Sequence, residues 1–121
     1  MKLKTVGFFK ELEHGMQEGE SLKENISDEP QFNEDKIIKY LEEGVIYCVS
    51  PGLTTDILGK SNEIIDSLKI LTDGEWIWPS DLSYYVKKYH VKLNEKFILH
   101  MQNAYWTVPN RQEIKLEQLE L

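Results

Sequence analysis

Three stretches of the chain carry apolar residues at the three- and four-residue spacing of a helix that buries one face. The first runs from Asn33, which can cap a helix start, to Gly44, which can end one. The second follows Pro79, with Ser80 as the expected cap, and the third follows Asn94, which is its expected cap. Their apolar stripes are Ile37, Ile38, Tyr40 and Leu41, then Leu82, Tyr85, Val86 and Tyr89, then Phe97, Ile98, Met101 and Tyr105. We expect the second and third helices to form a hairpin packed on a sheet.

An uncharged and largely apolar run at residues 45–50 predicts a strand, which Pro51-Gly52 should end. A run of this kind is typical of a strand buried on both faces, so we expect it at the centre of the sheet. Cys48 lies inside it and is therefore predicted to be a buried, structural thiol. Residues 53–63 are predicted to be a connection.

A β-hairpin is predicted around Asp73-Gly74, because this dipeptide favours a two-residue type I′ turn. The strands are expected at residues 64–72 and 75–78. In that register Thr72 faces Glu75, Leu71 faces Trp76 and Ile70 faces Ile77. Leu71, Trp76 and Trp78 then share one face of the sheet, and Ile70 and Ile77 share the other.

These elements predict one α+β domain over residues 1–121, a length usual for a single domain. We expect a small, mostly antiparallel sheet with a central buried strand and a β-hairpin, packed against about three short helices. The compact core is assigned to residues 35–109. An acidic, largely irregular N-terminal arm at 1–34 precedes it, and a charged tail at 110–121, compatible with strand or helix, follows. The arm's expected anchors are Phe8, Phe9, Leu12, Leu22 and Ile26.

Composition narrows the possible partners. Fourteen Lys and Arg against 21 Asp and Glu give a formal net charge of −7, a field that repels the phosphates of nucleic acids. The longest apolar run spans five residues, whereas a membrane helix needs about 20. Cys48 is the single cysteine, which excludes an intrachain disulfide and favours a reducing compartment. We therefore expect a cytoplasmic protein that binds neither nucleic acid nor membrane, and whose protein partner would be basic.

A search for catalytic and cofactor motifs identifies no chemical site. His14, His90 and His100 are scattered and form no metal-binding spacing, and the sequence contains neither a phosphate-binding glycine loop nor a nucleophile elbow. Asp73 is best explained as a turn residue and Asp81 as a first-turn helix charge. The prediction is no metal, no cofactor, no catalytic residue and no enzymatic activity.

Aromatic residues are unusually dense between residues 73 and 86. The candidate partner- or ligand-binding residues are Trp76, Trp78, Asp81, Tyr84 and Tyr85. Two interpretations stay open. The tryptophans either fill the space between hairpin and helix, with Tyr85 beneath them, or form an exposed aromatic patch. Tyr84 lies off the apolar stripe and is the one most expected at the surface.

Residues 72–86 follow the pattern Thr-Asp-Gly-x-Trp-x-Trp-Pro-x-Asp-Leu-x-Tyr-Tyr-Val, and residues 9–15 read Phe-Lys-Glu-Leu-Glu-His-Gly. Both segments resemble a family of small uncharacterised bacterial proteins with no assigned activity. The resemblance covers most of the chain. It implies a bacterial, cytoplasmic origin and transfers no catalytic residue.

Three functions remain under consideration. The leading hypothesis is a non-enzymatic protein-interaction domain, one form of which would be a neutraliser of a basic partner in the manner of small acidic immunity proteins. The alternative is a small-molecule-binding domain or weak enzyme, with a pocket between hairpin and helices that uses Trp76, Trp78, Tyr85 and an aspartate. A homodimer built on the aromatic face is the third.

Overall fold

The computed structural model describes residues 2–119. Four strands and three α-helices follow one another as β1 (Lys4–Thr5), α1 (Glu34–Glu42), β2 (Val45–Thr55), β3 (Ile64–Thr72), β4 (Trp76–Pro79), α2 (Leu82–Tyr89) and α3 (Glu95–Asn103). Short 3-10 turns at Lys23–Asn25 and Leu116–Gln118 lie in the arm and the tail. The strands form one sheet in the order β1-β4-β3-β2, in which β1 is parallel to β4 and the other pairs are antiparallel. The α+β prediction is confirmed.

The buried central strand is β4, whose four residues are all buried. Our assignment of this role to residues 45–50 is wrong, because β2 lies at the edge of the sheet and pairs with β3 alone. Pro51 does not end β2, which continues to Thr55 through an irregularity where Gly52 takes a φ of 103°. Cys48 is exposed and not buried. An apolar run alone does not distinguish a central strand from an edge strand.

The predicted hairpin exists, but its register differs from the expected one by two residues. Thr72 pairs with Ile77 and Leu71 with Trp78. The turn is centred on residues 74 and 75, because Asp73 Oδ1 accepts the backbone N–H groups of Glu75 and Trp76 at 2.9 and 2.8 Å. An even shift keeps every side chain on its face, so the predicted faces of the two strands are correct.

The helix positions agree with the sequence pattern, whereas two of the three predicted caps do not. Asn94 Oδ1 accepts the Lys96 N–H at 2.7 Å and caps α3 as expected. Asn33 has a φ of 60° and makes no side-chain cap, and Ser80 Oγ accepts the Lys69 N–H of β3 at 2.9 Å instead. Helix α2 packs chiefly against α1, not α3, so the predicted helical hairpin is wrong.

The N-terminal arm is irregular apart from β1, which the sequence did not reveal, and the 3-10 turn. Phe9, Leu12 and Leu22 anchor it in the core, whereas Phe8 is half-buried and Ile26 is exposed. The arm therefore completes both the sheet and the core. Among residues 2–119, none of the helices has the length and apolar character needed to cross a bilayer.

Candidate functional site

The aromatic segment at 76–85 is mostly interior. Trp76, Trp78, Asp81 and Tyr85 are between 0% and 5% exposed, and only Tyr84 of the five candidate residues is half-buried. The Trp78 ring lies 5.5 Å from that of Phe97 on α3, and its Nε1 donates to the Leu41 carbonyl at 3.1 Å. The exposed aromatic patch is therefore not formed, because β4 directs both of its indole rings toward Phe97 of α3.

Tyr84 belongs to a polar cluster centred on Asp56, a fully buried residue. Asp56 Oδ2 accepts hydrogen bonds from the hydroxyls of Tyr84 and Tyr89 at 2.7 Å each and lies 3.2 Å from Lys88 Nζ. Burial alone would raise the pKa of Asp56, but the bonds from Tyr89 and Tyr84 outweigh it and hold that pKa well below its usual range. Helix α2 is thereby fastened to the loop after β2.

A second buried carboxylate, Asp73, joins the hairpin turn to two helices. Its Oδ2 accepts the Tyr40 hydroxyl at 2.5 Å and lies 2.9 Å from His100 Nε2. Burial, and then the bond to Asp73, raise the pKa of Tyr40 far above its usual value. The other ring nitrogen of His100 faces Glu75 at 3.3 Å. Because each nitrogen already faces a carboxylate, this histidine is poorly placed to exchange a proton with a substrate.

Sequence reasoning identified Asp73 as a turn residue and missed these contacts, because Tyr40 and His100 lie 33 and 27 positions away. The other two histidines also contact carboxylates. His14 Nε2 lies 2.9 Å from Asp81 Oδ2, and His90 Nδ1 lies 2.9 Å from Glu34 Oε2. Within the part of the chain that the structure describes, no three His, Cys, Asp or Glu side chains are placed to hold a metal ion.

The Asp81 carboxylate is the least well satisfied of these groups. Among the described residues, neither of its oxygens nor His14 Nε2 makes a well-aligned hydrogen bond. Asp81 lies at the start of α2, where the helix dipole favours negative charge. It is therefore best explained as an internal brace between arm and helix.

An open groove of about 460 Å³ lies on the helix side of the sheet, and its floor includes Leu71 of β3. Tyr84 and Ile46 line it, together with charged residues of both signs. Trp76, Trp78 and Tyr85 are not among its lining residues. Of the five candidate residues only Tyr84 lines this groove, so the pocket required by the small-molecule hypothesis would have to form without Trp76, Trp78 and Tyr85.

An exposed acidic and aromatic surface lies elsewhere, where the arm enters α1. We call residues 26–35, which end with the first two residues of α1, the Phe32 loop. The Phe32 side chain is 83% exposed, and the carboxylates of Asp28, Glu29 and Asp35 around it are exposed as well. The acidity of this arm is evident in the sequence, whereas Phe32 stands alone among polar residues and belongs to no apolar pattern.

The Phe32 loop is tied down along its length despite its irregular backbone. The ties join it to the end of α2 and the residues that follow: Ser27 N to the Tyr89 carbonyl at 3.2 Å, Lys92 Nζ to the Glu29 carbonyl at 2.9 Å, Gln31 Nε2 to the Val91 carbonyl at 2.8 Å, and His90 to Glu34. An exposed phenyl ring on a loop held in this way is presented in a defined position. That arrangement lowers the entropy lost when a partner covers the ring.

Two further aromatic residues follow α3. Tyr105 is 87% exposed, and both it and Trp106 adopt left-handed backbone, with φ of 53° and 59°. For residues of this size such a conformation costs about 1 to 3 kcal/mol each. Lys36, one helical turn after Phe32, places its Nζ 5.9 Å from the Trp106 ring. Trp106 therefore lies beside the first turn of α1.

Comparisons with protein-family models, with curated proteins and with solved structures found no match. The function must be argued from the geometry of this chain.

Proposed function

We propose that this protein is a non-enzymatic interaction domain that binds a basic protein partner through the Phe32 loop. The observation that carries the proposal is Phe32 itself, an 83% exposed aromatic ring on a tied-down loop among exposed carboxylates. The acidic balance of the chain favours a role like that of a small acidic immunity protein, which neutralises a basic partner. The family resemblance adds only the bacterial, cytoplasmic setting.

The aromatic ring and the carboxylates of the Phe32 loop would contribute to binding in different ways. Burying Phe32 in an apolar pocket of the partner would contribute about 1.5 to 3 kcal/mol. Aromatic anchors of this type are enriched among interface hot spots. The carboxylates of Asp28, Glu29 and Asp35 would remain near water at the rim, where charge mainly accelerates encounter and adds less affinity.

Other carboxylates are less suited to this role because the fold already uses them. Asp56, Asp73 and Asp81 are buried against internal partners, and Glu34 contacts His90. A partner could reach them only by disrupting the core. A partner can reach the exposed acidic residues of the Phe32 loop without disrupting the core. We therefore place the interface there and not on the aromatic segment at 76–85.

Site-specific photo-cross-linking in the native host tests the location. A photoreactive phenylalanine analogue replaces Phe32 in one variant and Leu99 in a matched control, since Leu99 is also apolar and 56% exposed but lies on α3. We expect one basic protein to be cross-linked from position 32 and not from position 99. Equal products from both positions, or none from position 32, would contradict the proposal.

The partner identified in this way then allows the energies to be measured with purified proteins. Phe32→Ala should weaken binding by roughly 30-fold, the effect of a hot spot worth about 2 kcal/mol, mainly through faster dissociation. Leu99→Ala should change binding less than twofold. Neutralising Asp28, Glu29 and Asp35 together as amides should instead slow association. An unchanged dissociation rate for Phe32→Ala would sink the assignment of Phe32 as the anchor.

A further inference from the structure

Tyr105, which follows α3, is the most exposed large hydrophobic residue among residues 2–119. It is 87% exposed, Phe32 is 83% exposed, and the other exposed residues of this kind do not exceed 65%. A single aromatic residue at the surface is common in proteins, so exposure alone does not indicate a binding site. The backbone of Tyr105 and the position of its turn supply two further observations.

The backbone conformation of Tyr105 is one that a large side chain rarely adopts. Tyr105 and Trp106 have φ of 53° and 59°, in the left-handed region that glycine and asparagine tolerate best. At Trp106 this strain is offset by packing, because its half-buried ring lies against the core. The exposed ring of Tyr105 provides no such packing. Strain that the fold does not offset is typical of residues that contact a ligand or partner.

Hydrogen bonds fix the turn on both sides of Tyr105. The Trp106 N–H donates to the Met101 carbonyl at 2.9 Å. The Thr107 N–H donates to the Ala104 carbonyl at 3.1 Å, and the Thr107 hydroxyl donates to the Tyr105 carbonyl at 3.2 Å. A partner that covers the Tyr105 ring therefore orders one side chain and little backbone, which keeps the entropy cost of binding low.

The turn that carries Tyr105 adjoins the Phe32 loop. Lys36, the residue directly after that loop, places its Nζ 5.9 Å from the centre of the Trp106 ring. Lys36 follows Phe32 by four positions, which span at most about 14 Å of chain. A standard interface covers roughly 800 Å² of each protein, a patch about 30 Å across. An interface of that size is therefore wide enough to include both Phe32 and Tyr105.

We infer that Tyr105 is a second contact residue for the basic partner of the Phe32 loop, and that its ring binds a lysine or arginine side chain of that partner. The inference rests on the function proposed above, which supplies the basic partner. Aromatic faces attract cations, and Trp106 in the same turn already contacts the Lys36 ammonium group. The net charge of −7 favours a cation from a partner at the open Tyr105 ring.

Photo-cross-linking from position 105 tests the location separately from position 32. A photoreactive phenylalanine analogue replaces Tyr105 in one variant and Ile64 in a control, since Ile64 is apolar and 65% exposed but lies on β3. We expect position 105 to capture the same basic protein as position 32, and position 64 to capture none of it.

The outcomes distinguish this inference from the proposed function. If position 32 captures a basic protein that position 105 does not, or that position 64 captures equally, this inference is overturned and the proposed function stands. If position 32 captures nothing, the proposed function is overturned and this inference with it.

The chemistry of the contact is tested by binding of the captured protein to purified variants. Tyr105→Phe keeps an aromatic face and should change the dissociation constant less than twofold. Tyr105→Leu keeps apolar surface without that face and should weaken binding about fivefold. A Tyr105→Leu variant that binds as tightly as Tyr105→Phe would show a plain apolar contact and overturn the assignment of a cation.

Two further variants separate the loss of the ring from the backbone strain. Tyr105→Ala and Tyr105→Gly both remove the ring and should weaken binding equally, by about tenfold. Glycine tolerates a φ of 53° better than alanine does, so the urea midpoint of Tyr105→Gly should be higher, by about 0.3 M. Binding that instead recovers together with the urea midpoint would show that Tyr105 acts through the stability of its turn, and would overturn the inference.

Discussion

Glu11 holds the N-terminal arm in a closed turn. Its carboxylate accepts the backbone N–H groups of Leu22 and Lys23 at 2.7 and 2.9 Å and the Ser21 hydroxyl at 2.8 Å. Burial alone would raise the pKa of Glu11, but the bonds from Lys23, Leu22 and Ser21 outweigh it and lower that pKa to about 2. The folded arm thus stabilises the ionised form of Glu11.

The sign of the resulting pH dependence follows from that direction. Because the pKa of Glu11 is lower in the folded state than its ordinary value of 4.5, the contribution to stability is complete above pH 4.5 and is lost as the pH falls toward 2. Glu11→Gln should therefore cost about 1 kcal/mol at pH 7, a modest value because the group is partly exposed to water. The cost should vanish near pH 2.

Urea unfolding of wild type and Glu11→Gln between pH 7 and pH 2 measures this difference. Taking the difference between two variants cancels the acid response of Asp56 and the other carboxylates. Glu13→Gln is the matched control, since it removes the same charge from an exposed neighbour and should leave the free energy of unfolding within about 0.5 kcal/mol. A Glu11→Gln penalty that grows on acidification would refute this account of the arm.

At the level of elements, the Asp56 cluster couples α2 to the loop between β2 and β3. Besides the two tyrosine hydroxyls, Asp56 Oδ1 accepts the N–H groups of Leu58 and Gly59 at 2.8 and 2.9 Å. Tyr85 adds a further tie, since its hydroxyl donates to the Thr55 carbonyl and accepts the Ile57 N–H, and burial raises its pKa to about 12. The loop is irregular, yet Asp56 accepts two of the loop's own backbone N–H groups, and Tyr85 of α2 accepts a third.

Asp56→Asn should loosen this connection locally. The amide keeps the size of the side chain but removes the negative charge that binds two tyrosine hydroxyls and Lys88. We expect the free energy of unfolding to fall by about 2 kcal/mol. Hydrogen exchange should accelerate at residues 57–59, while amides of α1 keep their protection under native conditions. Asp66→Asn, at an exposed residue of β3, is the control. Uniform acceleration across both regions would show that Asp56 acts on global stability and not as a local clasp.

The elements that the sequence predicted well are those fixed by local patterns. The three helices follow from apolar stripes, and the Asn94 cap follows from a side chain that reaches only two residues ahead. The position of β2 was missed because an uncharged run looks the same at the centre and at the edge of a sheet. β1 was missed because two residues carry no periodicity, and its place depends on a partner, β4, more than 70 positions away.

For the candidate site, too, the sequence predicts what local patterns determine and misses what depends on distant contacts. Packing of Trp76 and Trp78 was one of two open interpretations, and only the contacts with Phe97 and Leu41 decide between them. Phe32 gave no signal, because a single apolar residue in an acidic arm can equally be buried or exposed. The hydrogen bonds that hold its loop join residues about 60 positions apart. Such contacts are not encoded in any local pattern.

At the scale of the whole molecule, the acidic residues are distributed unevenly. The Phe32 loop carries several of the carboxylates that make the net charge −7, and β2 carries none. The attraction of a basic partner would arise from this field. Salt weakens that attraction, because the screening length falls from about 10 Å at 0.1 M to about 3 Å at 1 M.

Salt should therefore act on the association of the Phe32 loop with its basic partner more than on the dissociation. Between 0.1 and 1 M NaCl we expect the association rate constant to fall at least tenfold, whereas the dissociation rate constant, which depends chiefly on the buried Phe32 ring, should change little. Stopped-flow mixing of the purified proteins measures both constants. The variant with Asp28, Glu29 and Asp35 neutralised as amides is the matched control, and its association rate should depend less on salt. If wild type and this variant responded equally to salt, the carboxylates of the Phe32 loop could not be the groups that attract the partner.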